Sequence, residues 1–168
     1  MRDAVRSPCS PRPDTVPPRQ VGLLCRPVAG PDELAEHHRI RHVVFVLEQR
    51  LFGDDDHDEH DVAAGVVHVL GFVDGMPAGS VRLYPLGAGV WKGDRLAVLP
   101  EHRRTALAGP LVRLAVATAG AAGGQRMEAT VQAQNAPFFR RLGWSPVGEP
   151  VDYLGVLHQP MTIPLRAP

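Results

Sequence analysis

Residues 95–116 read RLAVLPEHRRTALAGPLVRLAV, and the stretch changes character in its middle. It opens as an apolar run of strand type stopped by Pro100. It closes as an apolar run of helix type, with Leu107, Leu111 and Leu114 three to four residues apart. Two arginines, a threonine and several small residues lie between. A strand that feeds a helix leaves the helix's first N–H groups unpaired. Those donors, with the positive end of the helix dipole, favour an anion. Ala106, Ala108 and Gly109 keep bulky side chains out of the approach, and Arg103 and Arg104 can add charge-assisted bonds to phosphate oxygens. The physical reading is a diphosphate cradle at a strand end. A tight strand–helix turn with two solvated arginines is the plainer one, and this stretch alone does not choose between them.

The flanking sequence supplies a frame. Residues 21–29, 63–75, 78–86, 89–100 and 126–133 have strand patterns, and two more follow within 144–166. Helical spacing runs from Glu33 to about Gln49, with Asp32 a candidate N-cap, and again over 107–122. NAPFFRRLG (135–143) reads as a short helix with Asn135 as its cap and Gly143 beyond its end. The order is β-α-β-β-β-α-β-α-β-β, an α/β arrangement. Residues 1–20, rich in Pro and Arg, read as a disordered tail, and 21–168 as one domain.

Composition narrows the function classes. The formal net charge is zero, so nothing drives non-specific nucleic-acid binding, and no run is apolar enough to span a bilayer. Among the eighteen basic residues the one lysine is Lys92. Cys9 and Cys25 fit neither a disulfide framework nor a metal spacing. A cytoplasmic protein is the expectation.

Arg103-Arg104-Thr105-Ala106-Leu107-Ala108, preceded by RLAVLPEH, resembles the acetyl-CoA-binding motif of the GNAT family of N-acyltransferases, Q/R-x-x-G-x-G/A. The departure is Ala106, where the family has glycine; a helical conformation at Ala106 would make alanine acceptable there. ELAEHHRIRHVVFVLEQRLF and MEATVQAQNAPFFRRLGW…GVLHQPM are similar to the ElaA-type subgroup. WKGDRLAV, VQAQN, FFRRLGW and HQPM together are closer to a bacterial GNAT-like family of nitrogen-starvation N-acetyltransferases. The resemblance covers roughly residues 24 to 166.

What the resemblance implies is a mixed sheet flanked by helices, with its fourth and fifth strands splayed into a V that holds acetyl-CoA. The pantetheine arm would pair with the backbone of Ala97, Val98 and Leu99. The diphosphate would sit on the N–H groups of Arg104, Thr105, Ala106, Leu107, Ala108 and Gly109, and Asn135 would lie near the pantetheine. An amine attacks the thioester directly, which needs a base, an oxyanion donor near Val98 and a proton for the thiolate. The family's tyrosine for that last step corresponds to Phe139, which has no proton to give. Candidate acid–base groups are Glu48, Asp94, Tyr153 and His158, each of which also has a structural reading. The acceptor is a small-molecule or peptide amine, and homodimers are common in this fold.

Asp54, Asp55, Asp56, Asp58, Glu59 and Asp61 crowd one loop with His57 and His60. An EF-hand does not fit, zinc through the two histidines is a minor reading, and no metal is expected. A solvated loop is the plain reading, and recognition of a cationic amine by Asp56, Asp58 and Asp61 is the functional one. Arg41-x-x-Val44-Phe45, the acidic loop and Trp91-x-x-x-Arg95 also echo acyl-homoserine lactone synthases, which would make Arg41, Phe45 and Trp91 acceptor-side residues. Lys92 departs from that class, which has glutamate after the tryptophan. A degenerate acyl-CoA sensor is the non-enzyme alternative.

Overall fold

The structure, a computed structural model, describes residues 21–166; the expected tail lies outside them. One eight-stranded sheet carries the fold. Its strands are β1 (Leu23–Pro27), β2 (Val67–Val73), β3 (Met76–Gly87), β4 (Val90–Val98), β5 (Arg126–Gln132), β6 (Ser145–Pro146), β7 (Val151–Tyr153) and β8 (Val156–Pro164). The order is β1-β2-β3-β4-β5-β8-β6, with β7 also on β8. All neighbours are antiparallel except β4 and β5. The C-terminal region thus forms three strands where two were read, because the turn at Gly148 divides the first of them.

Helices cover the two faces. In β2, Val69 faces the core beneath α2 (Ala108–Ala121) and α3 (Ala136–Arg141), whereas Leu70 faces Ile40 near the end of α1 (Pro31–Arg41) and Val44 just beyond it. This is the period-two alternation of a strand buried on both sides. The long helix read from Glu33 to Gln49 is two pieces. Beyond Arg41 the chain widens into a π-helical turn over His42–Glu48, and Gln49 N–H donates to Val44 O at 3.0 Å. Gly30, not Asp32, precedes the first turn of α1; Asp32 sits inside that turn, where its charge still suits the dipole.

Glycine fixes where α2 begins. A Cβ on Gly79 would lie 2.9 Å from Leu111 Cδ1 and 3.0 Å from Leu107 Cδ2, and one on Gly71 3.0 Å from Leu107. The two glycines let Leu107, 1% exposed, anchor the helix start directly against β2 and β3. Among the described residues no helix is long and apolar enough to cross a membrane.

Candidate active site

The parallel pairing of β4 with β5 lasts three rungs, Val90–Arg126, Trp91–Met127 and Lys92–Glu128, and then stops. Both strands continue, β4 to Val98 and β5 to Gln132, so they diverge. A β-bulge accompanies the divergence. Ser80 faces Ala97 and Arg82 faces Asp94, so β4 carries one residue more than β3 over that span. Arg95 takes the left-handed conformation, φ 50°. Beside the extra residue, Arg95 bonds Asp56 and Asp58 of the acidic loop, and Asp94 is linked to that loop through Arg82.

A cleft of about 410 Å³ occupies the opening. Its polar wall includes Asp58, His60, Tyr84, Lys92, Tyr153 and His158; its apolar end includes Val81, Val112, Ala115, Met127, Phe139 and Trp144. Phe139 packs edge-on against Trp144, with ring centres 5.5 Å apart. Trp144 Nε1 is a buried donor with no hydrogen-bond partner among the described residues.

The turn from β4 to α2 departs from expectation at two residues. Ala106 is left-handed, φ 63° and ψ 20°, not helical. An alanine there carries a steric cost of about 1 kcal/mol, and this explains why glycine is the residue better suited to the position. The chain first makes a 3₁₀ turn over Pro100–Thr105, then reverses at Ala106 into α2. Leu107 O is taken by Leu111 N–H at 3.2 Å, so the N–H groups of Ala108 and Gly109 have no partner within the helix. Pro110 has no N–H to satisfy. Arg103 does not reach over this turn. Its guanidinium makes a bidentate pair with Glu48 at 2.7 and 2.5 Å, and Nε donates to Val98 O at 3.3 Å. Arg104 is exposed and makes no ion pair among the described residues. Arg113, one turn along α2, brings a guanidinium nitrogen to 3.2 Å from where a Gly109 Cβ would stand. Sequence reading passed over Arg113; the i, i+4 spacing from Gly109 was the available signal.

Of the three β4 residues expected to offer backbone groups to the V, Leu99 donates its N–H to Ala78 O on the opposite side at 2.9 Å. By alternation Ala97 faces the same way and Val98 faces the V. Val98 O, engaged by the Arg103 side chain, is therefore the exposed acceptor on that edge. Asn135 stands at the N-cap position of α3 as expected, but its side chain makes no capping bond and lines the cleft.

The candidate acid–base groups separate. Glu48 sits outside the cleft, held below the usual carboxylate range by its hydrogen bonds from Arg103. Asp94 lines the cleft, but both its oxygens accept from Arg82, at 2.9 and 2.8 Å. Tyr153 and His158 line it together, with ring centres 5.5 Å apart. His158 Nδ1 lies 2.7 Å from Val156 O. A carbonyl only accepts, so Nδ1 carries the proton and Nε2 of the neutral ring keeps a lone pair.

The acidic loop is not a solvated one at the three positions of interest. Asp56 is 2% exposed and bonds Arg41 at 2.8 Å and Arg95 at 2.9 Å. Asp58 takes Arg82 at 2.6 Å and Arg95 at 3.1 Å, and Asp61 takes Arg41 at 2.5 Å and Arg82 at 2.9 Å. Four carboxylates, with Asp94, thus surround three guanidiniums. Asp54, Asp55 and Glu59 remain exposed. Asp58 and Phe45 reach the cleft, whereas Arg41, Asp56 and Asp61 stand behind it. Trp91 belongs to the core beneath α2, so its placement on the acceptor side is corrected. His57 and His60 do not converge either. His60 stacks on Tyr84 with ring centres 4.3 Å apart, and the cluster that does form is His38, Asp61 and His68, with candidate ligand atoms within 4.8 Å. The two arginines on Asp61 make that cluster a poor cation site. Tyr84 was unmarked in the sequence; burial and Asp94 push its phenol up, so it keeps its proton.

A parallel pair that splays, a bulge at the fork and a helix start with free amides define an acyl-CoA transferase type of fold. Residues 32–144 match the model of the acetyltransferase (GNAT) family, and the chain belongs to that family. A Bacillus subtilis (strain 168) protein assigned to the acetyltransferases is 27% identical over 136 residues, 80% of this chain and 92% of that one. Escherichia coli ElaA superposes with a TM-score of 0.74 at 20% identity, covering 85% of this chain and 99% of its own. The CoA-dependent acyl-homoserine lactone synthase BjaI, solved with SAM and isopentyl-CoA, gives 0.69 at 22%, covering 80% and 77%.

Proposed function

We propose that the protein transfers an acetyl group from acetyl-CoA to an amine. The observation that carries this reading is the loss of β4–β5 pairing after Lys92–Glu128, which opens the cleft and bares the Val98 edge. The pantetheine amides pair with Val98, Arg103 giving up its bond to the carbonyl. The diphosphate takes the free amides of Ala108 and Gly109, with Arg104 and Arg113 as its cations. Nε2 of His158 accepts the proton of the attacking amine. The amine nitrogen bonds to the acyl carbon, backbone N–H at the bulge stabilises the oxyanion, and the carbon–sulfur bond breaks. The thiolate leaves and takes a proton from solvent or from the Tyr153 hydroxyl, Phe139 having none to offer.

A second reading is a longer acyl group, as in the synthases. The apolar end of the cleft, between Val112, Ala115 and Trp144, favours it. Thiol release with an amine panel tests the first reading, and a series of acyl-CoA chain lengths separates the two. Binding of acetyl-CoA without turnover on any amine would leave the sensor alternative instead.

A further inference from the structure

We propose that Lys92 binds the carboxylate of the acceptor, so that the amine substrate is an amino acid or another carboxylate-bearing amine; this rests on the transferase reading above. Lys92 stands at the last paired rung of the V, on the face shared with Tyr84 and Asp94, and lines the cleft. Every other strongly charged group on that wall is committed. Asp58, Asp94 and Arg95 belong to the buried network of arginines and aspartates. The two carboxylates closest in register are held elsewhere, Asp94 by Arg82 and Glu128 by Arg126 at 3.0 Å. Among the described residues Lys92 makes no ion pair, and its one side-chain hydrogen bond goes to Thr130 Oγ1 at 3.0 Å. An ammonium has three donors, so two remain open to solvent or to a ligand on the exposed side of this half-buried residue.

Burial pushes the Lys92 ammonium below its usual range, and Asp94 and Glu128 oppose this only from a distance. An anion at the root of the V would relieve that cost. A second, shallower depression of about 320 Å³ shares Lys92, Ala129 and Thr130 with the cleft, so there is room beside the ammonium for more of the acceptor. The chain uses arginine for every other basic position. A compact point charge with three rotatable donors suits a single carboxylate at the base of a narrow fork.

The test uses L-amino acids paired with their carboxamides, with acetyl-CoA saturating. The wild type is expected to favour the free acids in kcat/KM by about 10-fold or more, the worth of one charge-assisted bond. Lys92→Met is expected to bring the acid-to-amide ratio to about one, and Lys92→Arg to restore part of it. A wild type indifferent to the carboxylate, or a methionine variant that lowers acid and amide equally, overturns the proposal. A second readout does not need turnover. Lysine labelled with carbon-13 gives one side-chain signal from this chain, and N-acetylglycine should raise its ionisation midpoint while N-acetylglycinamide does not. Equal or absent responses overturn the proposal. A selective response without acetylation of any amine retains the carboxylate site and refutes the transferase reading.

Discussion

Ala106 shows how one residue can be legible in kind and misread in conformation. A small side chain between Thr105 and Leu107 pointed to an approach for phosphate, but helical geometry was inferred because alanine favours helices. The turn instead needs φ 63°. Ala106→Gly is expected to stabilise the protein by about 1 kcal/mol in denaturant unfolding, because it removes a left-handed alanine. A loss of stability would contradict the conformation. Arg103 was misread for a different reason. Its partner, Glu48, lies 55 residues away in sequence, which no local pattern discloses. Arg104→Ala should therefore weaken coenzyme A binding more than Arg103→Ala, measured by calorimetry; the reverse order would place Arg103 on the diphosphate. His158→Gln, with folding checked by circular dichroism, is expected to lower kcat/KM by about 10²-fold or more. A variant that keeps the wild-type kcat/KM would exclude His158 as the base.

At the scale of elements, strand and helix order was largely readable from hydrophobic periodicity, and the β4–α2 connection was readable from its composition. The break of α1 into a π-helical turn was not, since Val43, Val44 and Leu47 fit a continuous helix as well as a widened one. The acidic loop was the larger miss. Its aspartates are spaced for a surface, but Arg41 on α1, Arg82 on β3 and Arg95 at the bulge converge on them from three elements. Arg82, fully buried, bonds Asp58, Asp61 and Asp94. Arg82→Leu leaves those carboxylates buried without their cation and is expected to cost about 3–5 kcal/mol in equilibrium unfolding. A change under about 1 kcal/mol would mean that the network is solvated. The fork of β4 and β5 is a pairing event between distant segments, expected from the family resemblance and not from any local pattern.

For the whole molecule, a layer of histidines, with His37 and His68 buried and His38 half-buried, ties α1 to the sheet and sets an acid limit. His37 is pushed down to about 3, first by burial and then by His68 and Arg41; His38 falls to about 4 by burial, Arg41 and His57, with Asp61 opposing. An unfolded histidine titrates near 6.5. Between pH 6.5 and 4 the unfolded chain therefore binds more protons than the folded one, and stability falls as pH falls through that window. Thermal unfolding should be flat above pH 7 and decline steadily from 6.5 to 4, and a flat profile would contradict the burial. The proposed function rests at this scale on the V between β4 and β5 together with the free amides of Ala108 and Gly109. Isothermal calorimetry with acetyl-CoA and coenzyme A tests that claim most directly. The expected result is saturable binding of both, weakened by Arg104→Ala; the absence of heat at millimolar ligand would contradict it.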